Sequence, residues 1–293
     1  MQLSHSSINF HDVLVRQSGR GLALPRILGS DGCGIDTSSG ELVVIDPSIG
    51  WGPREEVSGA GFSVRGDHEH GTYAELTSVD SSEIQPKPPH LSNAEAAALP
   101  LAGVTAYRAL FVRGRAQPGQ MVLVTGASSG VAVAALQFAL AAGMQPLVTS
   151  SKDDRLSAAV AEGAVDGVNY TDPRWPSRVK EMTDGGVDLI LDGAGANLAE
   201  LIDALRPGGR IVLFGMSAGQ HAKISIPQVF FKQIDVVGTT TGSPQDFKNM
   251  LDFVTEHGLC PRIQTVIPLE NAADAHRLME SRTHVGKIVL EHS

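Results

Sequence analysis

The chain has 293 residues, of which 42% are hydrophobic and 19% charged, and it carries a formal net charge of −9. That length supports a sizeable core in one large domain or two. The acidic surplus excludes a broad electrostatic footprint for nucleic acid or an anionic membrane. With only two cysteines, Cys33 and Cys260, a disulfide scaffold and a Cys-rich zinc lobe are excluded, and a reducing, cytoplasmic compartment is expected. The opening "QLSHSSINFHD" lacks the basic and apolar tracts of a signal peptide, and no apolar run approaches the ~20 residues of a membrane helix.

The first elements are short. "ILGSDGCG" (27–34), "ELVVIDPS" (41–48) and "GTYAELTSV" (71–79) read as strands between Gly, Ser and Asp turns, as in a small β-rich domain. The stretch 91–111 reads as a helical bridge with Ser92 capping ahead of Glu95. From residue 121 the pattern changes. Strands at 121–126, 145–150, 167–170, 187–193, 209–215 and 234–241 alternate with helices at 130–142, 152–162, 174–183 and 197–205. Near-continuous apolar strands such as "VDLILDG" suit a parallel sheet covered on both faces, so the expected class is α/β with a doubly wound parallel sheet. A helix (244–257), a strand (263–269), a helix (271–281) and a closing strand (286–292) complete the chain.

The segment "MVLVTGASSGVAVAALQFALAAG" (121–143) joins the first of these strands to its helix. Gly126 lets the backbone reverse, and Ser128, Ser129, Gly130 and Val131 lead into a helix N-terminus. Free N–H groups and the helix dipole there favour a phosphate, and Gly130 leaves room for a pyrophosphate. Ala132 serves as the small packing residue at the third glycine position of such turns. An ordinary tight βα turn would look similar. Short-chain dehydrogenases also use "TGASSG", near the N-terminus and with a Tyr-x-x-x-Lys pair. The three tyrosines here are followed four positions on by Thr77, Phe111 and Arg174, so that class is excluded.

Between the strand 145–150 and the next helix, "LVTSSKDDRL" offers Ser150, Ser151, Lys152 and Arg155 where an NAD-binding fold would place an acid. These groups suit a ribose 2′-phosphate, and a solvated helix start is the plainer alternative. The pair His68 and His70 in "GDHEHG" shares a face at i, i+2 with no third ligand indicated, and His11 and Asp12 read equally as a structural hydrogen-bonded pair or a functional one.

"SINFHDVLVRQSG" (7–19), "LPRILGSDGCG" (24–34), "GTYAEL" (71–76), "AAALPLAGVTAYRALF" (96–111), "VLVTGASSGVAVAALQFA" (122–139), "GVDLILDGAG" (186–195), "LRPGGRIVLFG" (205–215) and "HVGKIVL" (284–290) occur in the order seen in one family. The chain resembles the medium-chain dehydrogenase/reductase family, in its zinc-free, quinone-oxidoreductase-like branch. The resemblance implies a GroES-like substrate domain over 1–97, a Rossmann NADP(H)-binding domain over 98–262, and a return to the substrate domain over 263–293. It implies that Tyr170 stands beside the 2′-phosphate, that Asp192, Gly193, Gly215, Met216 and Ser217 cover the ribose and nicotinamide, and that Thr240, Thr241 and Gly242 close from the sixth strand.

The same resemblance places Ser30 and Asp31 where zinc members carry His-Glu, so no metal is expected. It implies that Asn9 donates to the substrate oxygen, that Thr105 holds the nicotinamide carboxamide, and that Asp12 contributes to this site. "HDVLV" carries no tyrosine where some relatives have one. Relatives begin their substrate domain well before the "NF" motif and have a longer strand–turn–strand after "GSDGCG"; a shortened domain with unpaired sheet edges is therefore expected. The implied activity is NADPH-dependent reduction of a quinone or activated alkene by a homodimer pairing its sixth Rossmann strands. An alcohol or aldehyde dehydrogenase and a non-catalytic NADPH-binding module are the alternatives.

Overall fold

The computed structural model describes residues 1–18, 24–195 and 197–293. The chain divides into two compact units: Met1–Val104 together with Thr241–Ser293, and Thr105–Thr240.

The N-terminal part of the first unit holds β1 (Gln2–Ile8), α1 (Phe10–Ser18), β2 (Asp31–Ile35), β3 (Leu42–Ile45), the two-residue β4 (Ser48–Ile49) and β5 (Ser63–Val64), and β6 (Ile84–Pro86). Neither β1 nor α1 is expected from the pattern. The strand "QLSHSSI" is rich in serine, and its hydroxyls become buried through bonds rather than apolar contact. Ser7 donates to Asp31 at 2.7 Å, and Ser4 donates to the Cys33 carbonyl. In α1, the Asp12 carboxylate accepts from the Asn9 N–H at 2.7 Å and so satisfies a donor at the helix start. The expected strand at 71–79 is corrected. Gly71, Thr72 and Tyr73 donate to the carbonyls of Ile27, Gly29 and Leu28, and among the described residues the segment's ladder contact is a single bridge from Leu76 to Gln2. The segment packs as a strap, because a side chain at Gly71 would collide with the Leu28–Gly29 backbone. After β6 come α2 (Asn93–Ala98) and α3 (Pro100–Tyr107). Ser92 and Glu95 form the expected capping box on α2.

The second unit continues from a π-helical turn, Arg108–Arg113. Its strands and helices alternate: β7 (Met121–Val124), α4 (Gly130–Ala141), β8 (Gln145–Ser150), α5 (Asp153–Ala161), β9 (Asp166–Asn169), α6 (Trp175–Met182), β10 (Val187–Asp192), α7 (Leu198–Ala204), β11 (Leu205–Leu213), α8 (Ile226–Lys232) and β12 (Asp235–Gly238). All pairings are parallel and the order is β12-β11-β10-β7-β8-β9. This is the doubly wound order, and its switch point lies between β7 and β10. Leu123, Leu147, Ile190 and Ile211 are fully buried on its strands beside Trp175 and Val179 of α6. Each such side chain contributes roughly 1.5–3 kcal/mol by burial. The sixth strand is shorter than the apolar pattern 234–241, since the chain leaves the sheet after Gly238.

The chain then returns to the first unit with α9 (Pro244–Glu256), β13 (Ile263–Pro268), α10 (Ala272–Ser281) and β14 (Lys287–Glu291). The six-stranded sheet there runs β13-β14-β1-β2-β3-β6, with β1 antiparallel to both β14 and β2. Its core joins the two chain ends: Ile8 and Val13 pack with Ala275, Met279, Ile288 and Leu290.

Candidate active site

The first unit concentrates buried polar groups where β1 meets α1. Asn9, at that junction, donates from Nδ2 to Asp31 Oδ2 at 2.8 Å and accepts at Oδ1 from Lys287 Nζ at 2.5 Å. Among the described residues the Asp31 carboxylate accepts four bonds: from Ser7, Asn9 and Lys287 on one oxygen, and from the Leu101 N–H on the other. Asp12 accepts from the Asn9 N–H, from Ser30 Oγ at 2.9 Å and from the Tyr73 hydroxyl at 2.9 Å. Burial pushes the Asp12 carboxyl above its usual range, against the pull of His11 nearby. Burial, with the Asp12 charge second, likewise lifts the Tyr73 phenol well above its ordinary value.

Two expectations change here, those for His11 and for a tyrosine at the site. The His11 ring nitrogen meets Asp67 Oδ1 at 2.8 Å, while its charge still acts on the Asp12 carboxyl. His70 accepts from the Ile27 N–H, and no three His, Cys, Asp or Glu side chains among the described residues converge as a metal site. A tyrosine does reach this cluster, from position 73 rather than from α1. Lys287 is the other residue sequence reasoning passed over. A lysine opening the apolar run "KIVL" was the available signal, since a charge at the start of a buried strand requires a partner.

In the second unit, Gly126 has φ +74°, and a Cβ built on it would meet no atom within 4 Å. The turn is therefore open where a phosphate would approach α4. Ser129 caps α4 by accepting from the Ala132 N–H, and Ala132 itself is buried against the sheet. Arg155 Nη1 donates to Ser128 Oγ at 2.9 Å, which brings α5 to the first turn. Ser150 accepts from the Lys152 N–H through its hydroxyl and from the Tyr170 N–H through its carbonyl, so Ser150, Lys152 and Tyr170 gather at the carboxyl ends of β8 and β9. Ser151 follows directly on β8.

At the switch point Asp192 accepts from Thr125 Oγ1 at 2.8 Å and from the N–H groups of Ala194 and Gly195. Gly193 and Gly215 back onto each other, and a Cβ on Gly215 would lie 2.6 Å from the Gly193 carbonyl oxygen. Ser217 donates its N–H to that same carbonyl, with Met216 part-exposed between. Thr105 Oγ1 is buried with no hydrogen-bond partner among the described residues. The "TTTG" stretch is divided. Thr240 ends the second unit; Thr241, which accepts from Ser48 Oγ at 2.9 Å, and Gly242, packed on Val104 and Asp246, lie in the first.

The sequence profile of the zinc-binding dehydrogenase family matches residues 130–256. The zinc-type alcohol dehydrogenase-like protein YogA of Leptosphaeria maculans is 35% identical, with 99% of this chain and 89% of that protein covered. The chain belongs to the medium-chain dehydrogenase/reductase superfamily. Within it, an NAD-dependent alcohol dehydrogenase of known crystal structure is 36% identical and superposes with a TM-score of 0.91, covering 99% of this chain and 90% of that one. The quinone oxidoreductase of Thermus thermophilus, solved also with NADPH, is 28% identical with a TM-score of 0.82, covering 99% and 90%. The chain is thus an oxidoreductase of this superfamily. The zinc that the profile's description names does not fit the cluster at Asn9. Asn9 and Asp31 there are both bonded by the Lys287 ammonium, a cation in the place a metal ion would need.

Proposed function

We propose that this chain is an NADP(H)-dependent, zinc-independent reductase that delivers hydride to a quinone or activated alkene. The observation that carries the reading is the open turn at Gly126, with Arg155 fixed against Ser128 beside it. Backbone N–H groups at the start of α4 and the positive end of its dipole offset pyrophosphate charge. Arg155, Lys152, Ser150 and Ser151, with Tyr170 alongside, offer cations and hydroxyls to a 2′-phosphate, where an acid would instead select NAD. The buried, unpartnered Thr105 hydroxyl suits the nicotinamide carboxamide. Bound NADPH supplies the hydride.

Asn9 is the donor for the acceptor's oxygen, which gains negative charge during the reaction. Asp12 caps α1 and orients Tyr73 and Ser30 around it. Asp192, Gly193, Gly215, Met216 and Ser217 shape the strand ends that face the ribose and nicotinamide, and Thr240, Thr241 and Gly242 follow the sixth strand in sequence. Electron-poor acceptors suit this set, because alcohol oxidation would lack a Lewis acid. The substrate is a small molecule. A second copy of the chain would pair along β12, which is one of the two edges of the parallel sheet and exposes Val236. No helix among the described residues is long and apolar enough to cross a membrane.

The deciding experiment compares NADPH and NADH oxidation against a panel of quinones and enones. Turnover with NADPH is expected; activity with NADH alone defeats the phosphate pocket. Tight NADPH binding with no turnover identifies a cofactor-binding module instead. The alcohol dehydrogenase reading is favoured by the names of similar proteins. It predicts stoichiometric zinc and alcohol oxidation.

A further inference from the structure

The Asn9 amide is held at both ends. Lys287 Nζ donates to Oδ1, Asn9 Nδ2 donates to Asp31 Oδ2, and Lys287 closes the ring with a 3.1 Å bond to the same carboxylate oxygen. Relative exposure is 6% for Asn9, 0% for Asp31 and 4% for Lys287. A side-chain amide has nearly the same shape in either of its two flipped orientations, so its neighbours decide which end faces which way. Turning Asn9 over would set its NH2 against an ammonium and its oxygen against a carboxylate. Two attractive contacts would become two repulsive ones, in a buried setting where such contacts act strongly. The clamp leaves one N–H of Nδ2 uncommitted among the described residues, and no carbonyl oxygen free to turn outward.

We propose that Lys287 is a positioning residue: with Asp31 it locks the Asn9 amide as a hydrogen-bond donor, so that the site selects acceptors presenting a carbonyl oxygen. This deepens the reductase reading and rests on it in taking Asn9 as the group that meets the acceptor's oxygen. Asp31 itself is spent holding the ring together and Leu101 in place.

The test compares N9A, K287M, D31N/K287M, K287R and N9A/K287M in the full-length protein with NADPH and a quinone. D31N/K287M removes both buried charges together and guards against a misfolded single variant. In K287M and D31N/K287M, kcat for the quinone is expected to fall by about 100-fold, the scale of losing one oxyanion donor. NADPH affinity should stay unchanged, and K287R should recover part of the rate. N9A should be as slow as K287M, and N9A/K287M no slower than N9A. Multiplicative losses in the double variant would overturn the proposal, since Lys287 would then act other than through Asn9.

The Asn9 side-chain amide signals, identified by their loss in N9A, give a readout that needs no turnover. Slow hydrogen exchange is expected in the wild type and fast exchange in D31N/K287M; equal exchange in both overturns the clamp. If the wild type reduces no quinone or enone, the reductase reading fails, and the amide signals still judge the clamp.

Discussion

Gly126→Ala separates strain in the turn from its use. At φ +74° an alanine pays the left-handed penalty of roughly 1–2 kcal/mol. No clash adds to it, because a Cβ there meets nothing within 4 Å. At about 2–4 °C per kcal/mol for a chain of this size, the melting temperature should drop by no more than roughly 8 °C. The same methyl group occupies the space a pyrophosphate would take. Losing one or two charge-assisted bonds, at about 1.5–3 kcal/mol each, weakens dinucleotide binding at least tenfold.

The control is Gly193→Ala. Its Cβ would lie 2.6 Å from the Phe214 ring, so overpacking of about 1–3 kcal/mol is expected in the apoprotein itself. Calorimetric titration with NADPH and thermal melts on both variants are the assays. Unchanged NADPH affinity in the Gly126 variant, with its modest loss of stability, would refute the placement of the phosphates at this turn.

Arg155→Ala should raise the NADPH dissociation constant about tenfold and leave NADH nearly unaffected, since one charge-assisted contact is worth about 1.5–3 kcal/mol; equal losses for both cofactors would mean that Arg155 supports the turn rather than the 2′-phosphate. Burial raises the Asp46 carboxyl to about 7, because desolvation outweighs its bonds from Ser48. The native state therefore holds a proton the unfolded chain has released, and stability should fall as pH rises from about 4 to about 7, by at most about 4 kcal/mol, then level off. Asp46→Asn should flatten that slope in denaturant titrations across the range; an unchanged slope would assign it to other groups. Cys33 is fully buried with its thiol pushed up to about 12, whereas Cys260 is exposed. Ellman's reagent at pH 8 should titrate one thiol in the native protein and both in denaturant.

The Rossmann half was legible because its signal is local. The central apolar runs β7, β8 and β10 are strands buried on both faces, and the small-residue turn at 125–130 is set by backbone conformation, which glycine spacing reports directly. The first unit was legible only in part. The strand β1 is stabilised by serine hydroxyls meeting Asp31, the Cys33 carbonyl and His292, and no alternation of apolar residues announces such a strand. Asn9 and Asp12 were reached through the family resemblance, but their partners were not. Tyr73 and Lys287 stand 64 and 278 positions from Asn9 in sequence, and only the folded sheet brings Lys287 to it and Tyr73 to Asp12. The apparent strand at 71–79 misled because its alternation is met by a strap bonded to the 27–29 backbone.

The placement of β1 between β2 and β14 also dictates an order of events during synthesis. Residues 105–240 are contiguous and can condense as soon as they emerge. The sheet of the first unit cannot, because one neighbour of its first strand is β14, which spans Lys287–Glu291. Until then β1 shows an unpaired edge and Asp31 lacks its cation, while the central unit is already whole. The Asn9 cluster thus assembles only after residue 287 has emerged, and a nascent chain halted before it would carry a folded second unit tethered to an open sheet.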